Sequence, residues 1–78
     1  MKELSKDQIE YIIERVIKNA ASVQDDRDKN TDESARQFYE GMLAGYHEVL
    51  DTIKTQLKLY DMDLKDFGLD IDIEKLTA

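Results

Sequence analysis

Leu4-Ser5-Lys6-Asp7-Gln8-Ile9 is the stretch that decides how this chain folds. Ser5 and Gln8 have the S-x-x-Q spacing of a capping box, in which the hydroxyl takes the Gln8 N–H and the Gln8 side chain reaches back to the Ser5 N–H. Leu4 and Ile9 stand at the positions of a hydrophobic staple across that box. A helix therefore begins at about Lys6. From Ile9 onward, Ile13, Val16, Ala20 and Val23 follow at steps of four and three, and Ile12 and Ile17 widen the stripe. That period fits a helix buried along one face and fails the alternation of a strand. Glu10, Glu14, Arg15 and Lys18 occupy the other face, with Glu14 and Lys18 in the favourable i,i+4 order. Helix 1 is expected over about 6–24.

Working outward, Asp25-Asp26-Arg27-Asp28-Lys29-Asn30 holds no apolar residue and reads as a loop over 25–30. Asn30 or Thr31 can cap the next helix, and Asn30-x-x-Glu33 has capping-box spacing. Helix 2 is expected over about 31–60. Its face is Ala35, Phe38, Tyr39, Met42, Leu43, Tyr46, Val49, Leu50, Ile53, Leu57 and Tyr60. Two helices with a short polar joint make an antiparallel hairpin. Helix 2 is then about ten residues the longer, roughly 15 Å at about 1.5 Å per residue. The surplus from Ile53 to Tyr60 needs a cover.

The tail, 61–78, offers one. Asp61 or Asp63 can start a short turn bearing Leu64 and Phe67, which Gly68 would close. Leu69, Ile71 and Ile73 then alternate with Asp70, Asp72 and Glu74, a pattern that suits either an extended segment or one further helical turn ending at Leu76. The expected fold is all-α: one domain over 1–78, a two-helix hairpin with a short, partly helical tail. A bare hairpin of this size is marginal, so the tail covers it or two copies form a four-helix bundle.

Composition narrows the function. The chain has 78 residues, a net charge of −7, no Cys, no Pro and three Gly. Without Cys there is neither a disulfide nor a thiolate metal site. The acidity is uneven: residues 1–24 and 35–60 are each neutral, 25–34 carry −3 and 61–78 carry −4. Nucleic acid is not expected as a direct partner, because phosphate binding needs a basic footprint. No stretch approaches the roughly 20 apolar residues of a membrane span. The opening Met1-Lys2-Glu3-Leu4-Ser5 has no signal-peptide run. A cytoplasmic protein is expected.

Several patterns invite chemistry. Asp26, Asp28, Asn30 and Asp32 fall at positions 1, 3, 5 and 7 of a calcium loop. The Gly at position 6 and the bidentate Glu at position 12 that such a loop needs are Thr31 and Gln37 here. A solvated, acid-rich turn explains the tract better. Glu48-x-x-Asp51 with Glu10-x-x-x-Glu14 resembles the acidic pairs with which helical nucleotide pyrophosphohydrolases of the MazG type hold Mg²⁺. The first pair has the wrong spacing, and Glu48 and Asp51 point away from the apolar face. His47, the only histidine, sits at the flank of the stripe; with no Cys and no second His it makes no zinc site of the usual kind, and the sequence holds no Ser/His/Asp constellation. No catalytic residue, metal ligand or cofactor is assigned.

Gly41-Met42-Leu43-Ala44-Gly45 reads as G-x-x-x-G. Two helical glycines cost roughly 2 kcal/mol relative to alanine. With Ala44, Thr52, Thr55 and Leu59 they form a second, small-residue groove that lets another backbone approach. It could take the tail, a second subunit or another protein, or be mere mid-helix slack. The candidate interaction surface is Tyr11, Gly41, Ala44, Gly45, Thr52, Leu59, Leu64 and Phe67.

Phe38-Tyr39-Glu40-Gly41 and Val49-Leu50-Asp51-Thr52-Ile53 are similar to segments of small uncharacterised acidic helical proteins of Gram-positive bacteria and their phages. The resemblance implies a bacterial setting and no activity. The expected function is a protein-interaction module that self-associates, most simply as a homodimer, and binds another protein. One alternative is an acidic inhibitor, of phage or mobile-element type, of a nucleic-acid-binding protein. The other is a divalent-metal-binding protein or metal-dependent hydrolase.

Overall fold

A computed structural model describes residues 3–78 of the chain; the opening Met1 and Lys2 lie outside the described residues. Four helical elements follow in order: α1 (Lys6–Lys29), α2 (Glu33–Leu59), a 3₁₀ turn (Leu64–Phe67) and α3 (Ile73–Thr77). No strand occurs among the described residues.

The capping box forms as its spacing requires. Ser5 Oγ accepts from the Gln8 N–H at 3.2 Å, and Gln8 Oε1 accepts from the Ser5 N–H at 2.8 Å. Leu4, the expected staple residue, is nevertheless more than half exposed. Ser5→Ala is expected to lower stability by about 0.5–2 kcal/mol, since one orphan N–H loses its acceptor. A denaturant titration followed by circular dichroism checks this; an unchanged midpoint would show that the cap contributes nothing.

The expected loop over 25–30 is largely helix, and α1 ends at Lys29 rather than about Gln24. A solvated helix end needs no apolar residues, only satisfied ends and compatible charges. Lys29 pairs with Asp25 at 2.7 Å in i,i+4 register, and Arg27 and Lys29 complement the dipole of the last turn. Hydrogen bonding and charge from Asp25 hold the Lys29 ammonium above the usual lysine range. The decisive partner comes from the other helix. Arg36 Nη1 donates to the carbonyls of Arg27 and Asn30, at 3.3 and 3.1 Å, satisfying exposed ends of α1. The connection shrinks to Asn30-Thr31-Asp32. The Asn30–Glu33 capping box is not made: Asp32 is the N-cap, without a side-chain bond, and Asn30 Nδ2 turns back to the Asp26 carbonyl.

The two long helices are therefore nearly equal, 24 and 27 residues, and the ten-residue overhang of α2 disappears. The tail still packs, but along the side of the hairpin rather than over its end. Two reversals steer it. After α2, the N–H groups of Asp61 and Met62 bond back to the carbonyls of Lys58 and Leu57, with Asp61 in the left-handed region at φ 56°. After the 3₁₀ turn, Gly68 and Leu69 repeat that pattern on Lys65 and Leu64, with Gly68 at φ 69°. Both are Schellman-type endings. Two aspartates of the tail start turns. Asp63 accepts from the Lys65 N–H, and Asp72 from the N–H groups of Glu74 and Lys75.

The tail completes the core. Ile13 of α1, Leu50 of α2 and Phe67, Leu69 and Ile73 of the tail form one buried cluster, with Ile9, Val16, Ile17, Ile53, Leu57, Leu64 and Leu76 packed around it. Ala20, Val23 and Leu43 are buried between the helices further along. Side chains of the hairpin tie the tail's backbone down. Lys54 Nζ donates to the Ile71 carbonyl at 2.9 Å, and Gln24 Nε2 to those of Lys75 and Ala78. Lys6 meets Asp66 at 3.1 Å across the other end.

Candidate functional site

With the tail on one side, the hairpin has an opposite side that nothing covers. The residues responsible are the far edge of the α2 stripe. Phe38, Met42, Gly45, Val49, Thr52, Gln56 and Leu59 follow one another at alternating steps of four and three, the register of a helix seam. Phe38 is 67% exposed, Val49 51% and Leu59 70%, and Met42 is also exposed. Of the eleven residues of the expected α2 face, only Leu43 and Leu50 are fully buried. The stripe is too broad for one neighbour. Its inner edge packs on α1 and the tail, and its outer edge is left to solvent.

Helix α1 adds Ile12, about half exposed, and Val16. Val16, Met42, Gly45, Tyr46 and Val49 line a shallow apolar groove between the two helices. A second apolar hollow lies on α1 itself, bordered by Leu4, Asp7, Gln8, Tyr11 and Ile12. The open face thus follows both helices through a molecule measuring 44 × 23 × 19 Å.

The expected interaction residues divide accordingly. Gly41, Ala44, Gly45, Thr52, Leu59 and Tyr11 are all exposed. A Cβ built at Gly41 or Gly45 would meet nothing within 4 Å, so neither glycine serves a close approach inside the chain. The tail does not fill the small-residue groove; its end borders Ala44 and Gly45 through Glu74, Thr77 and Ala78. Leu64 is half-buried and Phe67 only 3% exposed. Phe67 belongs to the core and leaves the list of contact residues, because its ring fills the space between α1 and α2. Phe38, Met42, Val49 and Ile12 join the list instead. Their period is visible in the sequence, but not which side of it the tail takes.

The patterns that invited metal chemistry are dispersed. Asp26 and Asp28 lie within α1, so the loop that would have carried them does not exist. Glu14 pairs with Lys18 at 2.9 Å. Among the described residues, no three His, Asp or Glu side chains converge as metal ligands. His47 is half-buried, with Nδ1 3.1 Å from Thr77 Oγ1. That hydroxyl donates to the Ile73 carbonyl at 2.8 Å, so it receives the Nδ1–H of His47. The imidazole fastens α3 to α2.

No helix among the described residues is long and apolar enough to cross a membrane. Comparison with family models, curated proteins and solved structures finds no match to the chain.

Proposed function

We propose that the chain is a small protein-interaction module that self-associates through the open face of its hairpin. Two copies would bury their faces against each other as a homodimer, with four long helices in one bundle and the two tails outside. One observation carries this reading: Ile12, Phe38, Met42 and Val49 are left exposed along one side of the hairpin, while the tail packs its buried Phe67, Leu69 and Ile73 on the other. The strip runs from Phe38 to Leu59 along a molecule 44 Å long, and a stable interface takes about 800 Å² from each partner. Gly45, open to solvent in the middle of the strip, leaves room for a facing helix.

The net charge of −7 favours protein over nucleic acid as any further partner. Tyr11, 62% exposed on the outer side of α1, is the contact residue assigned to it.

Sedimentation velocity tests the proposal. The intact chain is expected to run as a dimer at micromolar concentration. Val49→Glu, which puts a charge in the centre of the strip and leaves the core untouched, is expected to run as a monomer of unchanged helicity. A monomeric parent chain across the micromolar range would overturn the reading.

A further inference from the structure

The open face has two rims, and midway along it each carries one charge, of opposite sign. On the α1 rim, Arg15 follows Ile12 by three residues and so shares its side of the helix. On the α2 rim, Glu48 follows Gly45 by three. Val16 and Val49, the chain neighbours of Arg15 and Glu48, line the same groove, which sets the two charges at about one height; Glu48 stands on the outer edge of α2, where it also borders the hollow that Ala44 and Gly45 share with the end of the tail. Neither has an ion-pair or side-chain hydrogen-bond partner among the described residues. Arg15 is alone in this among the basic residues of α1: Lys6 holds Asp66, Lys18 holds Glu14, Arg27 holds Asp28 and Lys29 holds Asp25.

We infer that the occupant of the open face is a second copy of this chain, related by a two-fold rotation about the long axis of the hairpin, which lays α1 of each copy antiparallel on α2 of the other. The inference rests on the open face being the self-association surface. This rotation exchanges the rims without changing height, so Arg15 of each copy meets Glu48 of the other, twice per dimer. Ile12 and Val16 of one copy then lie over Val49 and Gly45 of the other, where the missing Cβ admits them. The competing two-fold, about the axis across the hairpin, stacks α1 on α1 and α2 on α2. It brings like rims together and leaves both charges without a partner. An isologous contact of the first kind also closes on itself, with no surface left over for a filament.

Charge reversal tests the register. Arg15→Glu sets a second carboxylate against Glu48 on both edges of the interface, and Glu48→Arg sets two guanidinium groups together. Each is expected to weaken dimerisation about tenfold or more. Arg15→Glu combined with Glu48→Arg in one chain is expected to recover most of the loss. An equimolar mixture of the two single variants is expected to form heterodimers in preference to either homodimer, because both crossings then pair opposite charges. Native mass spectrometry counts the three species, and circular dichroism checks that each variant keeps its helices. If both single variants dimerise like the parent and their mixture is statistical, the register is wrong while the open face stands. If the parent itself is monomeric, the open-face reading fails before the register is reached.

Discussion

Deleting residues 61–78 is expected to unfold the chain or drive it to aggregate. The tail supplies Phe67, Leu69 and Ile73, all buried in the one cluster that joins Ile13 and Leu50. Burying three such side chains contributes roughly 5–9 kcal/mol at about 1.5–3 kcal/mol each. A domain of this length has a total stability of about 4–12 kcal/mol, at about 0.05–0.15 kcal/mol per residue. The loss therefore matches the whole margin. Truncation also uncovers Ile17, Ile53 and Leu57 beside an open face that is already apolar, so the remaining hairpin would carry exposed hydrophobic surface on both sides. Tyr60 plays no part in this, being 74% exposed with the tail in place. Thermal melting and light scattering check the outcome. A truncated chain that melts like the parent would mean that the tail only rests on the hairpin.

Leu50→Ala is the second large effect. Leu50 is completely buried at the point where α1, α2 and the tail meet. Truncating a leucine in such a position costs about 2–5 kcal/mol, the upper part where neighbours cannot collapse into the space. Here the surroundings come from three separate segments held by their own turns and hydrogen bonds, which places the expected loss in the upper half of that range. Asp51→Ala, the next residue, is the control: it removes an exposed side chain with no hydrogen bond or ion pair among the described residues and should move the unfolding midpoint little. Urea titrations of the two variants decide the point. Equal shifts would mean that Leu50 is no better packed than a solvated residue of the same helix.

The uneven legibility of the fold has a physical pattern. The start of α1 is readable to the residue because the Ser5–Gln8 box spans four positions and needs no other part of the chain. The Gly68 turn and the caps at Asp63 and Asp72 are local in the same sense. The end of α1 is not readable. Asp25 to Lys29 lacks apolar residues, and absence of apolar residues marks solvent as well as loop. What extends the helix is an ion pair within it and an arginine, Arg36 on α2, that reaches back to its last turn.

Periodicity alone determined that this chain is helical and that both long helices carry apolar stripes, because hydrogen-bond geometry and side-chain spacing are set within a turn or two. Which stripe edge is buried was decided only by the tertiary structure. The same apolar residues of the tail would serve equally as a cover for the hairpin or as a peptide for another protein, and their spacing does not choose between the two. In the folded chain, the reversals at Asp61 and Gly68 return the tail to one side of the hairpin, where it competes for Ile13 and Leu50 and takes them. That competition between distant segments is settled by the area each can bury, a quantity no short window of sequence contains. Its by-product is the uncovered strip from Phe38 to Leu59, on which the proposed function rests.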